Sequence, residues 1–291
     1  MITEDKIING KALYTPKGAA MEYGRIGCNF YTGCPHECEY CYLKRGITGK
    51  ALGGTEVRLK KCFVSEEHAR RVLNSELDKH QEQCQRYGIF LSFTTDPLIE
   101  ETRRMTAYTI IQARSCGIPV WVLTKCSTFI YDEEFMATLE CINPVVRKFI
   151  HFGFTLTGRD DMEPKANTNA DRIMAMRRMH LMGFSTFASI EPVIDWQSAE
   201  RVVREAMTWC DHFKLGLRSG VKKDYYNIAE SGNAIMRIVQ SVESFGKTIY
   251  LKESTRKLLQ QYLQPGSYEV FLSHTVDLDG NRIDLNSSLF T

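Results

Sequence analysis

Beyond residue 60 the chain repeats one pattern: an amphipathic helix, a Gly or Pro stop, then a short apolar strand. The segment Ser65 to Tyr87 shows it first. Ser65 is a suitable N-cap, Ala69, Val72, Leu73 and Leu77 share one face, and Gly88 provides the stop before a strand over Ile89 to Phe93. The same grammar predicts helices over 101–116, 133–142, 170–182, 199–210 and 234–245. The strands expected after them cover 120–123, 148–155, 185–190, 213–217 and 248–251. Alternating helices and strands imply parallel pairing. With a first strand near Arg25 to Tyr31 the count reaches about seven, short of the eight that close a (β/α)8 barrel. The expected fold class is therefore α/β: a partial, open (β/α)6-type parallel barrel with one extra strand and a C-terminal extension. Residues 1–253 should form the core, with 254–291 packed on it. Parallel arrays of this kind place chemistry where strands end and the next loops begin. The stretch Gly46 to Gly54, with four glycines in nine residues, reads as a mobile loop beside such a site.

Composition sets the bounds. A chain of 291 residues that is 43% hydrophobic can bury a large core, and no run of about 18 apolar residues appears. Met1 to Asn9 lacks the basic-then-apolar order of a secretory signal, so a cytoplasmic location without membrane association is expected. A formal charge of +2 does not announce a nucleic-acid partner. In a reducing compartment the ten cysteines read as thiols rather than a disulfide framework, and three of them lie close together.

Those three stand in Gly27-Cys-Asn-Phe-Tyr-Thr-Gly-Cys-Pro-His-Glu-Cys-Glu-Tyr-Cys-Tyr42, where Cys34, Cys38 and Cys41 have three and then two residues between them. A cubane has four irons, so three thiolates leave one corner open to an outside ligand. The competing metal is zinc, with His36 or Cys28 as fourth ligand, but zinc clips normally come in pairs separated by a longer loop and only one is present.

The pattern Cys-x3-Cys-x-aromatic-Cys after a first strand, with Tyr40 as the aromatic, resembles the radical S-adenosylmethionine (SAM) superfamily. Tyr31-Thr-Gly-Cys-Pro-His-Glu-Cys-Glu-Tyr-Cys-Tyr42, Thr94-Thr-Asp-Pro97, Leu123-Thr-Lys125 and Ile190-Glu-Pro192 are similar to the spore photoproduct lyase-like branch. The resemblance spans roughly residues 25 to 252. It implies an enzyme in which Cys34, Cys38 and Cys41 hold a [4Fe-4S] cluster whose open iron binds S-adenosylmethionine, with a flavodoxin- or ferredoxin-type reductant supplying electrons. It further implies that Thr94, Lys125 and Thr155 help hold the cofactor, and Tyr40, Thr95 and Asp96 are added as candidates for the same site. Lys125 would offset the methionyl carboxylate, Asp96 would accept from the amine, and the threonines would bond the amine or ribose.

Glu191, at a strand end, and Arg218, after the strand over 213–217, are candidate substrate residues; Arg218 suits an anionic group. The branch places a hydrogen-donating cysteine just before the hydroxyl residue matching Thr94, whereas this chain has Phe93 there, so Cys126 is the candidate replacement. The substrate stays open. Nucleic acid is one candidate, for which Arg177, Arg178, Lys222, Lys223, Tyr225 and Tyr226 would supply phosphate and stacking contacts.

Overall fold

The computed structural model describes residues 6–222 and 224–283. They divide into two compact units, one of residues up to 153 together with 160–185, the other of residues 154–159 together with those from 186 onward. Eight strands make a mostly parallel sheet that does not close on itself. That is the partial barrel the alternation predicts.

In the first unit β1 (Leu13–Tyr14) pairs antiparallel with β2 (Gly27–Cys28), a strand the helix–strand pattern does not reveal because it precedes the first repeat. The first strand, expected over Arg25 to Tyr31, is split into β2 and β3 (Tyr31–Thr32). Asn29 interrupts it, bonding Ala12 through its backbone, and Tyr14 and the Phe93 amide through its side chain. Next come α1 (Gly46–Leu52) and β4 (Arg58–Leu59), which pairs antiparallel with β3 in a separate two-stranded sheet.

The expected long helix from Ser65 is two helices, α2 (Glu66–Lys79) and α3 (Gln81–Tyr87), broken at His80. Ser65 caps α2 by accepting the His68 amide at 3.2 Å, and Gly88, at φ +70°, ends α3 where an added Cβ would lie 2.9 Å from the Pro119 carbonyl. Strand β5 (Ile89–Leu91), α4 (Glu100–Ser115), β6 (Val120–Thr124), α5 (Glu133–Glu140), the short α6 (Pro144–Arg147) and β7 (Ile150–Thr155) follow, then α7 (Asn169–Leu181). Thr168 and Asp171 close a capping box at the start of α7. Strands β2, β5 and β6 are parallel, with Gly27 opposite Phe90 and Phe90 opposite Trp121.

The second unit carries β8 (Ser185–Val193), α8 (Trp196–Ala206), β9 (His212–Leu217), α9 (Ile228–Ser244) and β10 (Thr248–Leu251), with β9 parallel to both β8 and β10. Helix α8 buries Trp196, Ala199, Val202, Val203 and Ala206, a stripe at helical spacing in which each valine contributes about 1.5–3 kcal/mol. Helix α9 begins six residues before its expected start because Ser231 and Gly232 are buried rather than looped. Gly232 lies under the ring of Tyr262, where a Cβ would be 2.1 Å from the ring. Tyr262 ends α10 (Glu253–Tyr262), which with α11 (Ser267–Leu272) belongs to this second unit. Among the described residues no helix is long and apolar enough to cross a membrane.

Candidate cluster and cofactor site

The cysteine loop leaves β3 through Gly33, whose φ of +83° and close approach to the Glu56 carbonyl, 2.0 Å from an added Cβ, exclude any side chain. Its amide donates to Leu52 at 3.1 Å and that of Cys34 donates to Gly54 at 2.9 Å. The glycine-rich stretch is thus not a loose loop. Its first part is helix α1, and the end of that helix clamps the start of the cysteine loop. Glu37, between the first two cysteines, is the one non-glycine residue with positive φ (53°) among the described residues, and this turn brings the chain back toward Cys38 and Cys41. Replacing Gly33 with Ala is expected to cost more than about 2 kcal/mol by combining left-handed strain with a backbone clash. Denaturant unfolding of the variant checks this; an unchanged midpoint would show that the loop tolerates a side chain there.

All three cysteines are free thiols; Cys38 is buried, Cys34 and Cys41 half-buried. Burial, and then the neighbouring Asp96 carboxylate, push the Cys34 thiol up to about 12. Burial raises Cys38 as well, while the Lys125 ammonium pulls it back. Loading a metal therefore displaces protons, and Lys125 is a cation that favours the thiolates.

Asp96 binds the loop to the strand ends. Its Oδ1 accepts from the Leu98 amide (2.9 Å) and the Thr124 hydroxyl (2.6 Å), and its Oδ2 from the Lys125 amide (2.7 Å) and His36 Nε2 (2.8 Å). Burial alone would raise its pKa, but the His36 bond and charge and the other donors bring it to about 2. A carboxylate has about four acceptor positions, and all are used here, which points away from the expected contact with a cofactor amine. Its neighbour Thr94 donates to the Tyr31 carbonyl at 2.5 Å, whereas the Thr95 hydroxyl oxygen is buried and has no hydrogen-bond partner. Cys126 is buried, its Sγ 3.2 Å from the Thr128 hydroxyl, and burial raises its pKa; the thiol points at its own loop rather than at open space. Phe93 packs against the rings of Tyr14, Tyr23 and Phe90.

The loop residue Tyr40 also opens a buried charge chain that local sequence patterns do not show. Tyr40 donates its hydroxyl to Glu163 Oε1, and Glu163 Oε2 pairs at 2.8 Å with Arg172, both charged side chains being fully buried. Burial and then the Glu163 charge raise Tyr40 well above an ordinary phenol. The Lys125 ammonium stands 5.5 Å over the Tyr40 ring. Burial alone would lower its pKa, but the charges of Cys38, Glu163 and Cys34 raise it.

Three expected residues fall in the second unit. Thr155 is buried near the end of β7. Glu191, rather than pairing with the turn at Asp195, forms an ion pair with Lys252, whose side chain is almost wholly buried after β10. Gly216 on β9 makes room for that pair, since an added Cβ would lie 2.8 Å from carbons of both side chains. Arg218 is partly buried, and its Nε has no hydrogen-bond partner; its backbone amide donates to Tyr226, whose hydroxyl donates to the Val193 carbonyl.

These residues suit a cluster better than a zinc ion. Both proposed fourth zinc ligands are committed: His36 turns its nitrogens to Asp96 and to the Lys165 carbonyl, and Cys28 is fully buried in β2. Among the described residues no three His, Cys, Asp or Glu side chains gather about one ion. A cubane does not need that, because each thiolate binds its own iron. The Lys125 ammonium over Tyr40, and the Thr95 hydroxyl without a hydrogen-bond partner, match a polar, anionic-ended cofactor.

Comparison with solved structures agrees with this architecture. A mutant spore photoproduct lyase with bound AdoMet and dinucleoside spore photoproduct superposes with a TM-score of 0.55 at 14% identity, covering 78% of this chain and 63% of the lyase. SuiB of Streptococcus suis bound to S-adenosylmethionine superposes with a TM-score of 0.52 at 11% identity, covering 80% of this chain and 51% of SuiB. The chain has the radical SAM fold. It thus spans less than two thirds of either neighbour's length. No protein-family model matches the sequence, nor does any curated protein.

Within the radical SAM fold the groups considered for nucleic acid are dispersed or occupied. Arg178 pairs with Glu140 at 3.8 Å in the first unit, and Tyr225 and Tyr226 donate their hydroxyls to the Ile194 and Val193 carbonyls in the second. Lys222 is exposed and Lys223 lies outside the described residues.

Proposed function

We propose that the protein is a radical SAM enzyme in which Cys34, Cys38 and Cys41 hold a [4Fe-4S] cluster with one iron left to S-adenosylmethionine. The observation that carries this is the setting of the three thiols. They sit on a loop fixed by α1 and by His36 on Asp96, with the Lys125 ammonium over the ring of Tyr40, between the second and third cysteines, and an unsatisfied hydroxyl at Thr95. When bound, the cluster and S-adenosylmethionine supply one-electron cleavage of the sulfonium to a 5′-deoxyadenosyl radical. Lys125 takes the cofactor carboxylate, a charge-assisted contact of roughly 1.5–3 kcal/mol. Thr95 and Thr94 offer hydroxyls, Tyr40 backs the loop, and Asp96 holds its position instead of touching the amine. Thr155 keeps its expected cofactor role on the resemblance alone. Glu191, held by Lys252, and Arg218 are the proposed substrate contacts, Arg218 for an oxyanion, and the electron donor is a flavodoxin- or ferredoxin-type protein.

Anaerobic reconstitution should give about four irons per chain, and reduction in the presence of S-adenosylmethionine should release 5′-deoxyadenosine. Stoichiometric zinc with no iron would overturn the assignment. A second reading, nucleic-acid repair or modification, draws on the dinucleoside held by the lyase neighbour. It predicts oligonucleotide binding that weakens steeply with salt. Salt-insensitive binding in the millimolar range would remove it. The lyase's own chemistry is not expected, because Phe93 has no hydrogen atom to give where the branch uses a thiol.

A further inference from the structure

We infer that Glu163 and Arg172 are positioning residues that set the reduction potential of the cluster, acting as a fixed pair of opposite charges behind Tyr40 and Lys125. The inference rests on the cluster reading above and extends it to residues that neither the motifs nor the comparisons single out.

Arg172 is among the largest fully buried side chains in the protein, and it pairs at 2.8 Å with a carboxylate that is equally buried. Taking both charges out of water costs several kcal/mol per ion before their attraction repays it, so such a pair is poor value as a stabilising device alone. Here it is joined to the cysteine loop. Glu163 holds the hydroxyl of Tyr40, the residue between the second and third cysteines, and Met162 accepts the Glu39 amide at 3.0 Å, so the segment before α7 is tied to the loop at two points. Both charges stand directly behind the loop residue between the second and third cysteines, Glu163 on the Tyr40 hydroxyl and Arg172 on Glu163. The Lys125 ammonium stands over the ring of the same Tyr40, 5.5 Å from its centre. Because neither side chain meets solvent, salt hardly screens these fields. A fixed charge held next to the cluster loop acts on the electron that the cluster takes up, since net charge near the cluster is one of the levers on its potential.

The sign of each effect follows. Removing the negative charge with Glu163→Gln favours the reduced cluster and raises the potential. Removing the positive charge with Arg172→Met lowers it, and the double variant returns close to the parent. A purely structural role would shift both single variants the same way or neither.

The test is a mediated redox titration of reconstituted protein without S-adenosylmethionine, following the electron paramagnetic resonance signal of the reduced cluster, with iron content measured for each variant. At the parent's midpoint the Glu163→Gln cluster should be mostly reduced and the Arg172→Met cluster mostly oxidised. Equal potentials, or shifts of the same sign in proteins carrying full iron, overturn the inference. Glu163→Gln is isosteric and keeps its one acceptor oxygen for Arg172, while its amide NH2 faces the Tyr40 hydroxyl, which can turn to accept it. If Arg172→Met fails to fold, an unshifted or lowered potential in Glu163→Gln is sufficient to overturn it. A parent protein that takes up no iron would instead bring down the cluster assignment beneath it, a result distinguishable from either.

Discussion

Cys38→Ala should lose the cluster and with it all release of 5′-deoxyadenosine, a fall of at least three orders of magnitude, while the protein remains folded. Cys38 is the buried member of the trio and the one that senses Lys125, Glu163 and Arg172 together. Its removal leaves two thiolates for four irons, and neither possible substitute is free: His36 is bound to Asp96, and Cys28 is sealed in β2. The fold does not depend on this thiol, since the loop is held by the Gly33 and Cys34 amides on Leu52 and Gly54 and by His36 on Asp96. Iron analysis, circular dichroism and product chromatography on the same preparation check the three parts. Normal product release by the variant would remove Cys38 from the ligand set.

Asp96→Asn should destabilise the apo-protein by roughly 3–5 kcal/mol, the usual cost of breaking a buried pair by removing one partner. The asparagine amide keeps one acceptor oxygen and turns a donor toward groups that themselves donate, so Thr124, the Lys125 amide and His36 cannot all be satisfied. The same carboxylate gives the parent a defined acid limb. Its folded pKa of about 2 lies below the ordinary 3.8, so the stability it contributes is full above the unfolded value and is lost as the pH falls through the folded one. The shift corresponds to roughly 2 kcal/mol. Urea unfolding of both proteins between pH 5 and about 2 should show parent and variant converging toward the acid end. A constant difference over that range would mean Asp96 is not the group titrating.

How far the sequence carries depends on whether a signal is local. The helix–stop–strand alternation, the Ser65 cap and the Gly88 stop are local, and the open parallel sheet follows from them. The split of the first strand is not, because it depends on Asn29 reaching Tyr14 and Phe93. Nor is the early start of α9, which depends on a glycine accommodating Tyr262 from another helix. Helix α1 was hidden by its glycines, two of which serve different ends: Gly46 takes a positive φ of 61° where the helix starts, and Gly49 lets it pack against the backbone of Leu43 and Lys44.

In the site, the cysteine trio comes from spacing and Lys125 from the family resemblance. The Tyr40–Glu163 contact spans 123 residues and the His36–Asp96 contact 60, so neither has a local pattern. Arg172 did leave a trace. It occupies the apolar stripe of α7 with Ala175, Met176 and Met179, and a charge in such a stripe signals a buried partner. Lys252, directly after β10, is fixed by Gly216 and Glu191 from two other strands and gave no comparable sign.

The claim on which the account stands is that one iron of the cluster belongs to S-adenosylmethionine and not to the protein. Electron-nuclear double resonance of the reduced, reconstituted protein with S-adenosylmethionine labelled by nitrogen-15 at the methionyl amine measures that contact directly. The account predicts a hyperfine coupling from the label that is lost when the cofactor is omitted. A fully reduced cluster that shows no coupling at saturating cofactor would contradict it.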